Sequence, residues 1–76
     1  MNKIRRKQLA ELSTKIEEIM GELDELKSEE EEYRDNMPEN LQGSERYEKA
    51  DEACDALDSS YNSLYEAIEY ISEAIE

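Results

Sequence analysis

Apolar residues recur along the first half of the chain at alternating steps of three and four. Leu9, Leu12, Ile16, Ile19, Leu23, Leu26, Glu30, Tyr33 and Met37 form the row, and only Glu30 interrupts it. An α-helix turns once in about 3.6 residues, so this spacing holds one stripe on one side of a helix. With Leu9 at heptad position a, residues Leu12, Ile19, Leu26 and Tyr33 fall at d. Sustained in this way, the pattern predicts a coiled-coil helix over about 3–35. Gly21 lies inside it at a cost of roughly 1 kcal/mol relative to Ala. It is off the a/d seam, which therefore survives.

Pro38 stops this helix, because its ring lacks an N–H donor and pushes Met37 out of helical angles. The stretch 36–43 reads as a turn. Asn40 and Gly43 tolerate positive φ, and Ser44 is suited to cap a second helix. Met37 and Leu41 are its apolar residues and are placed to plug one end of a bundle. The second half then repeats the pattern: Tyr47, Ala50, Cys54, Leu57, Tyr61, Leu64, Ile68, Ile71 and Ile75 step by three and four. A second helix is expected over about 44–76.

So short a connection returns the second helix antiparallel to the first. Placing Tyr33 opposite Tyr47 closes every layer in turn. Glu30 then faces Ala50, Leu26 faces Cys54, Leu23 faces Leu57 and Ile19 faces Tyr61. Further along, Ile16 faces Leu64, Leu12 faces Ile68 and Leu9 faces Ile71. In the same register Lys27 falls near Asp51. Arg5, Arg6 and Lys7 fall beside Glu73 and Glu76, at the negative end of the second helix's dipole. Glu30 is placed to reach Arg34 or the Tyr47 hydroxyl, or to turn out to solvent near the turn. The expected fold is all-α: a single domain, 1–76, forming an antiparallel two-helix coiled-coil hairpin.

The second helix carries more small and apolar surface than a hairpin needs. Ala53, Ala56, Ser60, Ser63, Ala67, Tyr70 and Ala74 form a ridge beside its main seam, at positions g and c, with Tyr65 and Tyr70 as aromatic anchors. The g positions of the first helix are Gln8, Lys15, Glu22 and Glu29, with no such ridge. A two-helix core is thin against the entropy of ordering the chain. The ridge is therefore expected to pack on something, with a second copy giving a homodimer, a four-helix bundle with the two second helices inside. A different protein docking on the ridge is the rival occupant.

Charge changes the picture next. The 76 residues include 22 acidic and 9 basic side chains and no histidine, a formal net charge of −13. Four of the cations fall in residues 1–7, while Ala50 to Glu76 holds eight carboxylates and no Lys or Arg. Such a chain repels nucleic-acid phosphates, whose binding needs Lys and Arg. It suits a basic protein surface, and the same charge also keeps a small helical protein soluble. The basic start has no apolar segment after it and does not read as a signal peptide. No apolar run approaches the ~20 residues of a membrane span.

Candidate chemistry is sparse. Without histidine there is no imidazole catalyst, and the one cysteine cannot form a disulfide within the chain. There is no CxxC, no HExxH and no calcium loop of the D-x-D-x-D-G type. Glu29–Glu32 is a carboxylate run, but consecutive helical residues point to different sides. Cys54, at an a position, reads as a buried inert thiol. No catalytic residue, cofactor or metal is expected.

The segment Glu32-Tyr33-Arg34-Asp35-Asn36-Met37-Pro38-Glu39-Asn40-Leu41-Gln42-Gly43-Ser44-Glu45-Arg46-Tyr47 resembles the centre of small acidic helical-hairpin proteins of phages and mobile elements of Gram-positive bacteria. Its most specific part is D-N-M-P-E-x-L-Q. The resemblance implies a context, since short phage-borne reading frames often encode inhibitors of bacterial defence, anti-CRISPR proteins among them. That context places the chain in the host cytoplasm. It implies no site residues.

Two functions are expected from these readings. In the first, carboxylates on the rod imitate a line of phosphates and occupy the basic, nucleic-acid-binding surface of a defence effector. Glu17, Glu18, Asp24, Glu25, Glu31 and Glu32 of the first helix would carry the affinity, with Asp51, Glu52, Asp55 and Asp58 of the second. In the alternative, the chain is a structural or adaptor coiled coil that acts through the Ala53–Ala74 ridge.

Overall fold

The computed structural model describes residues 1–76 as two long helices joined by a short turn. Helix α1 spans Lys3–Asp35 and helix α2 spans Glu45–Ile75. They run side by side as a rod of 59 × 15 × 12 Å. The hairpin inferred from the sequence is the fold, and its helix bounds fall within a residue of those expected.

The ends of the helices follow from local chemistry. The Arg5 backbone N–H donates to Asn2 Oδ1 at 2.7 Å, and the Tyr47 N–H donates to Ser44 Oγ at 3.3 Å. Each cap satisfies one of the donors that a helix start leaves open. At its far end α1 stops one turn before Pro38, where the Asn36 N–H still donates to the Glu32 carbonyl. A single 3-10 turn, Glu39–Leu41, carries the chain across. Of the two turn residues expected to tolerate positive φ, only Gly43 adopts it, at 86°. Met37 is buried and Leu41 half-buried, so both cover the closed end of the rod.

The core is thin, as the two-helix geometry demands. Met20, Met37, Ala50 and Cys54 are the only residues under a tenth exposed. On α2 the expected seam faces α1 throughout: Tyr47, Leu57, Tyr61, Leu64, Ile68, Ile71 and Ile75 are all half-buried. On α1 the seam differs from expectation. The covered residues are Leu9, Ser13, Ile16, Met20, Leu23, Lys27, Glu30, Arg34 and Met37, heptad positions a and e, with Glu31 at b beside them. The d residues Leu12, Ile19, Leu26 and Tyr33 are 48 %, 51 %, 58 % and 49 % exposed. At about 100° per residue, α1 is turned by roughly 50° from the a/d orientation.

The reason is electrostatic and geometric together. One partner helix covers the a row and one neighbouring row, and α1 offers apolar residues at d but cations at e. Lys27 Nζ lies 2.9 Å from Asp58 Oδ1, and Arg34 NH1 lies 2.9 Å from Asp51 Oδ1. These two bridges tie the e rows of both helices together. The expected pairing of Lys27 with Asp51 is thereby corrected: Lys27 reaches Asp58, one heptad further along α2, because helical side chains lean toward their own N-terminus, and Arg34 takes Asp51. Arg34 also bonds Asp35 and does not bond Glu30, so of the alternatives open to Glu30 the contact with Arg34 is not made. Arg5, Arg6 and Lys7 form no ion pair within 4.0 Å and stay exposed, so their expected contact with Glu73 and Glu76 is not made either.

Candidate functional site

Turning α1 gives the rod two unlike flanks. On the first lie the e and b rows of both helices. Here Lys27, Glu31 and Arg34 of α1 share a shallow cleft with Cys54, Asp55 and Asp58 of α2. Glu17 and Asp24 continue the b row of α1 toward the open end, both exposed. This flank therefore gathers Glu17, Asp24, Glu31, Asp51, Asp55 and Asp58 from the ten carboxylates expected to bind a partner. Glu18, Glu25 and Glu32, at c, and Glu52, at f, lie on the outer backs of the helices, away from it.

Not all six are free. Asp51 and Asp58 are engaged by Arg34 and Lys27, so their first role is to hold the helices together. The hydrogen bond to Asp58 raises the Lys27 pKa above its ordinary value, against the opposing effect of desolvation. Arg34 is held charged by its bonds to Asp35 and Asp51. Glu17, Asp24 and Asp55 are exposed and form no ion pair, and they are the carboxylates a partner meets first.

Beyond this cluster, on the same flank, Glu17, Met20 and Gly21 form a small cleft with Tyr61, Tyr65 and Ile68. Gly21 has open space where a Cβ would stand, so packing does not require its missing side chain.

Cys54 is buried, and that burial pushes its thiol pKa up, with Arg34 pulling the other way. Leu26, expected to cover it, is instead turned out, and Lys27, Glu31 and Arg34 surround it. No three His, Cys, Asp or Glu side chains converge where a metal ion would sit. No helix is long and apolar enough to cross a membrane.

The second flank is apolar. At its turn end, Tyr33 and Ala50 share a cleft with the charged residues Glu30, Glu45, Arg46 and Lys49, which places the d row of α1 beside the g and c rows of α2. Those α2 rows are the expected ridge. Ala53 and Ala67 are half-buried at its inner edge, while Ala56, Ser60, Ser63, Tyr70 and Ala74 are exposed. Leu12, Ile19, Leu26 and Tyr33 run alongside it. The apolar period alone assigns these four to the internal seam and so misses them as surface. The signal that could have found them is the match of Lys27 and Arg34 with Asp58 and Asp51 at e, which selects a/e over a/d.

In class, the chain is an acidic helical hairpin with one charged and one apolar flank. Comparisons with protein-family models, with curated proteins and with solved structures returned no match.

Proposed function

We propose that the chain is a non-enzymatic binding protein whose acidic flank occupies a basic, nucleic-acid-binding surface of another protein. In the context suggested by the turn segment, that protein is a bacterial defence effector, the chain is a phage-encoded, anti-CRISPR-like inhibitor, and the encounter takes place in the host cytoplasm. The observation that supports this reading is the alignment of Glu17, Asp24, Glu31 and Asp55 along one side of a narrow rod. Carboxylates so arrayed attract Lys and Arg side chains placed for a phosphate backbone, and desolvation strengthens each contact.

The test is capture of partners from a bacterial lysate at low and at high salt. The parent chain should retain a basic protein at low salt and release it at high salt. The triple variant Glu17→Lys, Asp24→Lys, Asp55→Lys should lose that protein while its helicity by circular dichroism is kept, because none of the three is engaged by a cation. Retention unchanged by the triple variant would dispose of the acidic-flank reading. Asp51 and Asp58 are unsuited to this test, since their loss loosens the hairpin itself.

A second reading is favoured by the half-exposed row Leu12, Ile19, Leu26 and Tyr33. It makes the chain a structural or adaptor coiled coil whose apolar flank docks another helix pair. The two readings use opposite flanks and are compatible.

A further inference from the structure

We infer that the apolar flank is covered by a second copy of this chain, paired about a two-fold axis parallel to the rod. In this pairing each copy's Leu12–Tyr33 row lies on the other's Ala53–Ala74 ridge. The inference rests on the second reading above, that this flank is a docking face, and adds its occupant.

Area argues that something covers the flank. A compact monomer of 8.9 kDa exposes about 4,800 Å². This chain exposes 5914 Å². The excess, about 1,100 Å², is of the order that one partner gives up at a standard stable interface, about 800 Å². The rod shape accounts for part of it, but the four turned-out d residues lie within it.

Shape argues for a second copy. The row of α1 presents large side chains one heptad apart. The ridge of α2 presents Ala and Ser at the same repeat, interrupted by Tyr70. Both run 21 residue steps, about 32 Å of helix. Knobs and a receiving strip of equal length stand side by side on one flank, which is the self-complementary patch that a two-fold interface uses. With the axis parallel to the rod, α1 of one copy lies on α2 of the other, antiparallel and level with it. Leu26 then meets the partner's Ala53 and Ala56, Ile19 its Ser60 and Ser63, Leu12 its Ala67 and Tyr70, and Tyr33 its Arg46 and Lys49. The opposite choice, an axis across the rod, would set α1 on α1 and leave both ridges unfilled.

Charge agrees. Beyond residue 7 the chain has five cations, and Lys27 and Arg34 are spent on the acidic flank. The other three, Lys15, Arg46 and Lys49, border the apolar flank, where Lys49 also pairs with Glu45 of its own helix and Glu22 and Glu29 share the g row with Lys15. In the two-fold pairing Arg46 and Lys49 of one copy come beside Glu29 and Glu32 of the other. The acidic flanks face outward on both sides.

Sedimentation equilibrium of the full chain tests the occupant, and spin labels test the orientation. The expected mass is twice the 8.9 kDa of one chain. Leu26→Glu and Ala56→Leu, both at exposed positions, should each weaken the dimer at least tenfold with helicity kept. Nitroxide on Asn40→Cys in a Cys54→Ala background should give a turn-to-turn distance within about 25 Å, two helix diameters. A separation near the rod length of 59 Å overturns the proposed axis, and Ala56→Leu tightening the dimer overturns the row-on-ridge fit. A monomer overturns the second copy as occupant. If that monomer still binds a hydrophobic dye, and Leu26→Glu abolishes it, the docking reading stands with a different partner. If no dye binds, the docking reading falls as well.

Discussion

Lys27 shows how much a single position decides. Its methylene stem is half-buried in the seam while its ammonium reaches Asp58, so it serves as both packing and bridge. The bond to Asp58 raises its pKa in the folded chain above the ordinary 10.5. A base whose folded pKa is raised contributes stability in full below its unfolded pKa and loses it as pH climbs through the folded value. The melting temperature of the parent should therefore exceed that of Asp58→Asn by a constant few degrees at neutral pH. The gap should close above pH 10.5, as followed by circular dichroism in matched buffers; a gap that persists there would assign the difference to something other than the bridge. Lys27 and Asp58 were both visible in the sequence, but not as partners. A heptad reading ranks residues by hydrophobicity, and a cation at e carries no apolar signal to rank. Cys54 and Met37 were legible for the converse reason, since a small apolar residue at a and an apolar residue beside Pro38 have few other places to go.

At the scale of the element, the orientation of α2 was legible in the sequence and that of α1 was not. The difference lies in how many rows each offers. On α2 the a and d rows are apolar, and e holds Asp51 and Asp58, so one orientation serves both packing and pairing. On α1 the apolar rows are a and d, yet the cations that answer Asp51 and Asp58 stand at e. Packing and pairing pull in different directions, and the helix settles with a at the centre. The turn was legible nearly to the residue, because Pro38, Gly43 and Ser44 act through backbone rules that need no partner. Those rules predict opposite outcomes for the two glycines. Gly21→Ala should stabilise the chain by roughly 0.5–1 kcal/mol, since nothing stands within 4 Å of the new Cβ and Ala suits a helix interior. Gly43→Ala should destabilise it by about 1 kcal/mol or more, because φ is 86° there. Urea denaturation of both variants checks the pair. A stabilising Gly43→Ala would mean that the turn does not hold the left-handed angle in solution.

The whole molecule sets a few attractive contacts against pervasive repulsion. With 22 acidic and 9 basic side chains on a rod 15 × 12 Å in cross-section, each carboxylate has like neighbours within a Debye length, which is about 10 Å at 0.1 M salt. Four ion pairs form, and only Lys27–Asp58 and Arg34–Asp51 join the two helices. Added salt weakens those two but relieves the repulsion among many more. The melting temperature should therefore rise with sodium chloride, most steeply from the lowest ionic strength, and level off as screening saturates. Neutralising the free carboxylates of the acidic flank, in Glu17→Gln with Asp24→Asn and Asp55→Asn, should raise the melting temperature at low salt and flatten its slope. A melting temperature that falls with salt would mean that the two bridges outweigh the repulsion, and the triple variant would then gain nothing. The same balance bears on binding. A basic surface laid along Glu17, Asp24 and Asp55 supplies locally the countercharge that salt supplies in bulk. A partner that binds there should raise the melting temperature most at low salt, and its effect should fade as salt takes over that role.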